Sequence, residues 1–98
     1  MVTVVITARV KSGRPPDAIA AGKALAEHVG RKHGVQVALM QRHFGPLDIA
    51  WVAEFSDVTA AEKLQGQVMT DQQYWTHVKK ISETLVEDSV EIALWQAV

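Results

Sequence analysis

The sequence contains no cysteine. A disulfide framework, a thiolate nucleophile and a thiolate-bound zinc or iron–sulfur centre are therefore excluded. An excess of one charge is missing too: ten basic residues stand against eleven acidic ones, well mixed along the chain, for a net charge of −1. Nucleic-acid binding needs a clustered basic excess, so no nucleic-acid partner is expected. No apolar run approaches the roughly 18 residues of a membrane span, and no membrane insertion is expected. The first residues run straight into strand-like sequence, without the basic, apolar and small-residue order of a signal peptide, so a cytoplasmic protein is the expectation. The patterns G-x-G-x-x-G, H-E-x-x-H, G-x-S-x-G and the P-loop are all absent. No nucleotide, metalloprotease or serine-hydrolase signature remains.

What is present is ordinary globular composition, 48% hydrophobic and 21% charged, too apolar for a disordered chain. The 98 residues fit a single domain spanning 1–98. A domain this small buries only about two thirds of its unfolded surface, and a partner subunit would add to a thin margin of stability.

The pattern of apolar residues lays out the elements. Val2, Val4, Ile6, Ala8 and Val10 alternate with Thr3, Val5, Thr7, Arg9 and Lys11, the period-two signature of a strand. After the loop 12–16, with Pro16 in a first-turn position, a helix runs to His33 and stops at Gly34. Its buried face holds Ala18, Gly22, Leu25, Ala26 and Val29, and small residues there predict close approach to a sheet. Lys23, Glu27 and Arg31 form the opposite, solvated face.

A second strand is predicted over 35–44 and a third over 47–55, separated by Gly45-Pro46. The third places Ile49, Trp51, Ala53 and Phe55 on one side and Ala50 and Val52 on the other. A helix at 58–69 follows, then a break at Thr70-Asp71 and a second helical piece to Leu85. Thr59 with Glu62 and Thr70 with Gln73 have capping-box spacing. Gly66, inside the first piece, either allows close packing or makes room for a ligand. Tyr74, Val78, Ile81 and Leu85 make one apolar stripe. The last strand covers 90–98, with Val90, Ile92 and Leu94 facing one way and Ala93 and Trp95 the other.

The order β-α-β-β-α-β predicts an α+β, ferredoxin-like fold: a four-stranded antiparallel sheet with two helices on one face. The other face should then show clean polar alternation, and the central third strand does not. Trp51 or its neighbours, with Val5, Met40, Phe44, Ala93 and Trp95, would meet water in a monomer. An uncovered apolar patch of that kind marks an interface, so a homodimer paired through the sheet face is expected.

The segments RHFGPLDIAWVAEFSD (42–57), MTDQQYWTHVKKISETLV (69–86) and VEDSVEIALWQAV (86–98) resemble the dimeric α+β barrel superfamily, in particular its NIPSNAP-like and antibiotic-biosynthesis-monooxygenase-like small proteins. The resemblance implies that two ferredoxin-like sheets close into a barrel across a dimer, with a pocket between sheet and helices in each subunit. Members include cofactor-independent monooxygenases, haem-degrading oxygenases and many proteins of unassigned role. Haem-degrading members use an Asn, a Trp and a His. Trp75 and His77 are present, but the chain has no asparagine, which counts against haem degradation.

Among the residues that carry chemistry, His77 flanks the apolar stripe and is the candidate general base or haem ligand, or else a boundary histidine packed on the sheet. Trp51, Tyr74 and Trp75 either line a pocket for a small hydrophobic or aromatic ligand or pack in the core and interface. His43 is the candidate at a pocket mouth and Arg9 a candidate partner for a substrate anion, or both are surface residues. His28 and His33 lie five apart on one helix, which is not the spacing of a shared metal ion; His33 is expected to face the carbonyls ending its own helix. No metal and no cofactor is expected. Three functions fit: a small-molecule-binding dimer, a cofactor-independent monooxygenase on an aromatic substrate, and a structural or regulatory dimer with no ligand.

Overall fold

The computed structural model describes residues 1–98. Strand β1 (Val2–Arg9) is followed by α1 (Pro15–His33), β2 (Val37–Gln41), β3 (Asp48–Phe55), α2 (Val58–Met69), α3 (Gln72–Ser82) and β4 (Glu91–Gln96). The strands form one antiparallel sheet in the order β2-β3-β1-β4. This is the ferredoxin-like α+β arrangement that the element order predicts, with the second helical region divided in two at Thr70 and Asp71.

Several boundaries are tighter than expected. β2 ends at Gln41, because Arg42 to Leu47 form the turn that returns the chain. α3 ends at Ser82, yet Leu85 stays buried because Val10 bridges to it beyond both elements. The helix caps also differ from the expected capping boxes. Asp57 accepts the Ala60 N–H at 2.8 Å, and Asp71 caps α3. Thr70 Oγ1 turns back to the Gln67 carbonyl. An aspartate carries a full charge to the positive end of the helix, which a threonine does not. Gly34 has φ 71° and closes α1 in the left-handed conformation, donating its N–H to Gly30.

The three helices cover one face of the sheet. Register places Val2 beside Phe55, Ile6 beside Trp51 and Ala8 beside Ile49, and this is the covered side. Its larger cluster joins Ala8, Val10, Ile49 and Trp51 to Ala18, Leu25 and Val29 of α1 and to Ile81 and Leu85. A smaller one gathers Val2, Ala53 and Phe55. Trp51 therefore lies inside, at 8% exposure, and not on the open face. Alternation groups it correctly with Ile49 and Phe55 but leaves open which side the helices choose.

α1 comes close to the sheet at Gly22. A β-carbon there would stand 3.2 Å from Leu39 Cδ2 and 3.4 Å from Trp51 Cζ2. Trp51 Nε1–H donates to the Gly22 carbonyl at 3.0 Å, so the indole meets a hydrogen-bond acceptor where it is buried. Gly66, by contrast, has open space around it and supports no close packing.

The opposite face has no cover. Ala38, Val52, Val5 and Ala93 are register partners across all four strands, and Met40, Ala50 and Trp95 flank that row. Met40 is 56% exposed and Trp95 67%. Phe44, expected here from strand alternation, sits instead in the β2–β3 turn and is 86% exposed. Ile92 and Leu94 of β4 point to the helix side but lie beyond the helices and stay exposed. No helix is long and apolar enough to cross a membrane.

Trp51→Phe removes the Gly22 hydrogen bond and part of the filler between α1 and the sheet. Urea unfolding is expected to show a loss of about 1–3 kcal/mol with the far-ultraviolet circular dichroism unchanged.

Candidate functional site

The side chains with most chemistry converge where the last turns of α1 meet the start of α3. Asp71, the α3 cap, is 3% exposed. Its Oδ1 accepts the backbone N–H groups of Gln73 and Tyr74 at 3.0 and 3.2 Å. Lys32 Nζ donates to the same oxygen at 3.0 Å. Its Oδ2 is met by His28 Nε2 at 2.7 Å and by His33 Nε2 at 2.9 Å. An ionised carboxylate only accepts, so both imidazoles present Nε2–H to it.

Sequence places these groups for clear electrostatic reasons. The carboxylate sits at the positive end of α3, and Arg31, Lys32 and His33 fill the last turn of α1, at its negative end. Burial pushes the Asp71 carboxyl up, but the donations from His28, His33, Lys32 and Tyr74 outweigh it and hold its pKa well below the usual carboxylate range.

His77 lies against this cluster, its ring centroid 5.2 Å from that of His28. With His28, Arg31, Lys32, Gln73 and Thr76 it lines an open cleft of about 550 Å³ between α1 and α3, with no hydrophobic residue in its wall.

The other residues picked out from sequence are dispersed. Trp51 is buried against Gly22 and Leu39. Tyr74 packs on the main core, where burial raises its phenol pKa, and its ring meets Trp75 edge-on at 5.3 Å. Trp75 folds back so that Nε1–H reaches the Met69 carbonyl at 3.0 Å. Of the four residues expected to contribute to a cavity, Trp51, Tyr74, Trp75 and His77, the α1–α3 cleft takes His77 into its wall and not the other three. Indole hydrogen bonding and core packing direct the first three elsewhere, and only His77 faces the cleft. His43 is exposed in the β2–β3 turn, edge-on to Phe44 at 4.9 Å. Arg9 pairs with Asp48 at 3.0 Å, and that hydrogen bond and charge raise its pKa. Arg42 reaches the same carboxylate at 3.4 Å.

Two residues change role relative to expectation. His33 serves Asp71 across the helix interface and not the carbonyls of its own helix. Asp71, expected only at the break between two helical pieces, is also the hub of five hydrogen bonds. Spacing within α1 alone set His28 and His33 apart, and a third residue from another helix unites them.

No protein-family model matches the chain, and no curated protein is significantly similar to it in sequence. Solved structures do match in shape. An uncharacterized NIPSNAP domain protein from Burkholderia xenovorans aligns with a TM-score of 0.83 at 13% identity, over 100% of this chain and 95% of that one. A NIPSNAP family protein of unknown function from Agrobacterium tumefaciens gives 0.80 at 18% identity, over 97% and 86%. SnoaB, a cofactor-independent oxygenase from Streptomyces nogalater, gives 0.73 at 17%, over 99% and 92%. At these identities the likeness is one of fold. The chain has the ferredoxin-like α+β fold shared by NIPSNAP and antibiotic-biosynthesis-monooxygenase-like proteins, which the sequence resemblance implies.

The Asp71 cluster gives a pH signature. A carboxyl whose folded pKa is depressed stabilises the fold fully above its unfolded value of about 3.9, begins to lose that contribution as pH approaches it and goes on losing it down to the folded value. The urea midpoint should therefore fall as pH drops from about 5 to 3. Asp71→Asn should be less stable at neutral pH and should flatten the slope in that window.

Proposed function

We propose that the chain is a homodimeric α+β barrel protein that binds a small molecule carrying a carboxylate or phenolate group in the α1–α3 cleft. The observation that carries the ligand is the wall of that cleft. Arg31 and Lys32 bring positive charge, His28 and His77 bring imidazoles, and Gln73 and Thr76 bring neutral hydrogen-bonding groups. Asp71 beneath them offsets the charge of Lys32, which it holds at 3.0 Å, and Arg31 is left as the cation with no carboxylate partner. Such a surface favours an anionic group held by charge-assisted hydrogen bonds. A purely hydrophobic ligand between sheet and helices has less to recommend it, since Trp51 fills the space beside α1.

The assembly rests on a separate feature, the uncovered row Ala38, Val52, Val5 and Ala93 with Met40 and Trp95. Two such faces laid together exclude water from both. A single copy leaves them wet.

A cofactor-independent oxygenase is the second reading. SnoaB has that description and this fold, and His77 in the cleft is a group able to take a substrate proton. Chemistry between a substrate carbanion and dioxygen favours a dry enclosure. The open, polar cleft favours binding over that reaction.

Two measurements test the proposal. Small aromatic carboxylates should raise the melting temperature of the native protein, and Arg31→Glu should weaken that binding by about tenfold or more, through lost and reversed charge. No shift with any acid of the panel, or an undiminished shift in the variant, would sink the ligand assignment. By light scattering, the native protein should run as a dimer and Val52→Glu as a folded monomer. An unpaired charge buried in that row costs several kcal/mol, at least a hundredfold or so in dissociation constant.

A further inference from the structure

We propose that His28, His33 and Asp71 form a binding site for one divalent transition-metal ion, of the zinc class, between α1 and the start of α3. The inference is independent of any organic ligand in the cleft and of the subunit contact.

Three observations carry it. The donor set is two imidazoles and one carboxylate, all with side chains at 8% exposure or less, and their candidate ligand atoms lie within 4.8 Å of one another. Imidazole and carboxylate together suit zinc, cobalt, nickel and iron(II). Next, the two carboxylate oxygens are divided by task. Capping α3 occupies Oδ1 with two backbone N–H groups. Oδ2 takes no part in the cap and faces only the two Nε2 atoms. A cap alone gives no reason for two imidazoles to converge there. Last, His28 also forms part of the cleft wall, beside His77. Three protein ligands next to an open cleft leave room for a fourth ligand, as sites that bind exchangeable groups do.

The fit requires the three ligand atoms to shift, the two short carboxylate–imidazole edges opening and the widest separation, up to 4.8 Å, drawing in. Bonds of about 2.0–2.2 Å in tetrahedral geometry set ligand atoms about 3.3 Å apart. The present 2.7 and 2.9 Å are about half an ångström closer, as expected where a proton and not an ion bridges the pair. On binding, the ion replaces each Nε2–H and the imidazole carries its proton on Nδ1 instead. Lys32, whose side chain is 48% exposed, is free to leave Oδ1 for water as positive charge arrives. Oδ1 keeps its two backbone donors.

Untagged protein, cleared of metal with a chelator, is titrated with cobalt(II) and followed by visible absorption, then challenged with zinc. One cobalt per chain is expected, with the strong bands of a four-coordinate site, bleached by one equivalent of zinc. His33→Gln keeps a donor for Asp71 and should weaken cobalt binding at least about tenfold, since even an outer partner of a metal ligand is worth about that much. Lys32→Gln removes a cation that opposes the ion and should tighten binding by roughly severalfold. A cluster that merely clasps two helices predicts no such gain. The absence of saturable one-to-one binding overturns the proposal, as does equal binding in His33→Gln or weaker binding in Lys32→Gln. Should His33→Gln fail to fold, the native and Lys32→Gln titrations decide.

Discussion

Three helices crowd onto one side of a four-stranded sheet, and the other side is left to whatever the chain meets in solution. That asymmetry governs the molecule. It explains why Ile49, Trp51 and Phe55 are buried while Met40 and Trp95, on the reverse of the same sheet, are not. It also moves the candidate site. Gly22, drawn down onto Leu39 and Trp51, closes the middle of the contact between α1 and the sheet. Open clefts remain at its margins, a wholly polar one between α1 and α3 and a partly apolar one between α1 and β2. The fold and its exposed face are thus two outcomes of one packing choice.

Within the helical layer, Asp71 is the fixed point. It ends the turn after α2, starts α3 and ties α3 to α1 through His28, Lys32 and His33. A buried carboxylate with five donors is well satisfied, whereas the same group with its partners removed is costly. Its neighbours therefore behave as a unit. The proximity of His77 places the cleft wall directly over the element that holds the layer together.

Much of the fold was legible in the sequence. The 58–69 helix, the stop at Gly34, the break at Asp71 and the two-sided grouping of the strands each follow from local chemistry. Strand alternation said that Trp51 and Val52 face apart, but no local pattern says which of them the helices will cover. The site was less legible. His77 was picked out from its position beside an apolar stripe. The Asp71 cluster was not, because its members come from helices 38 or more residues apart. On α1 alone the two histidines have the wrong spacing for a common partner, and Asp71 alone looks like an ordinary helix breaker. Only the packing of α1 on α3 turns two unremarkable signals into one constellation. The aromatic residues stayed ambiguous in the sequence for the converse reason. Trp51 and Trp75 satisfy their indole N–H groups on nearby carbonyls, a need that composition cannot reveal.

The central position of β1 carries one more implication. Its neighbours are β3 on one flank and β4 on the other, and Val2 ends up beside Gln96. The earliest strand thus waits for the latest. Until nearly the whole chain is available, β1 keeps a bare edge of N–H and C=O groups, and closing so long a loop slows folding. Newly made protein would be most prone to mispair in that interval, and shortening the chain near Trp95 would prolong it.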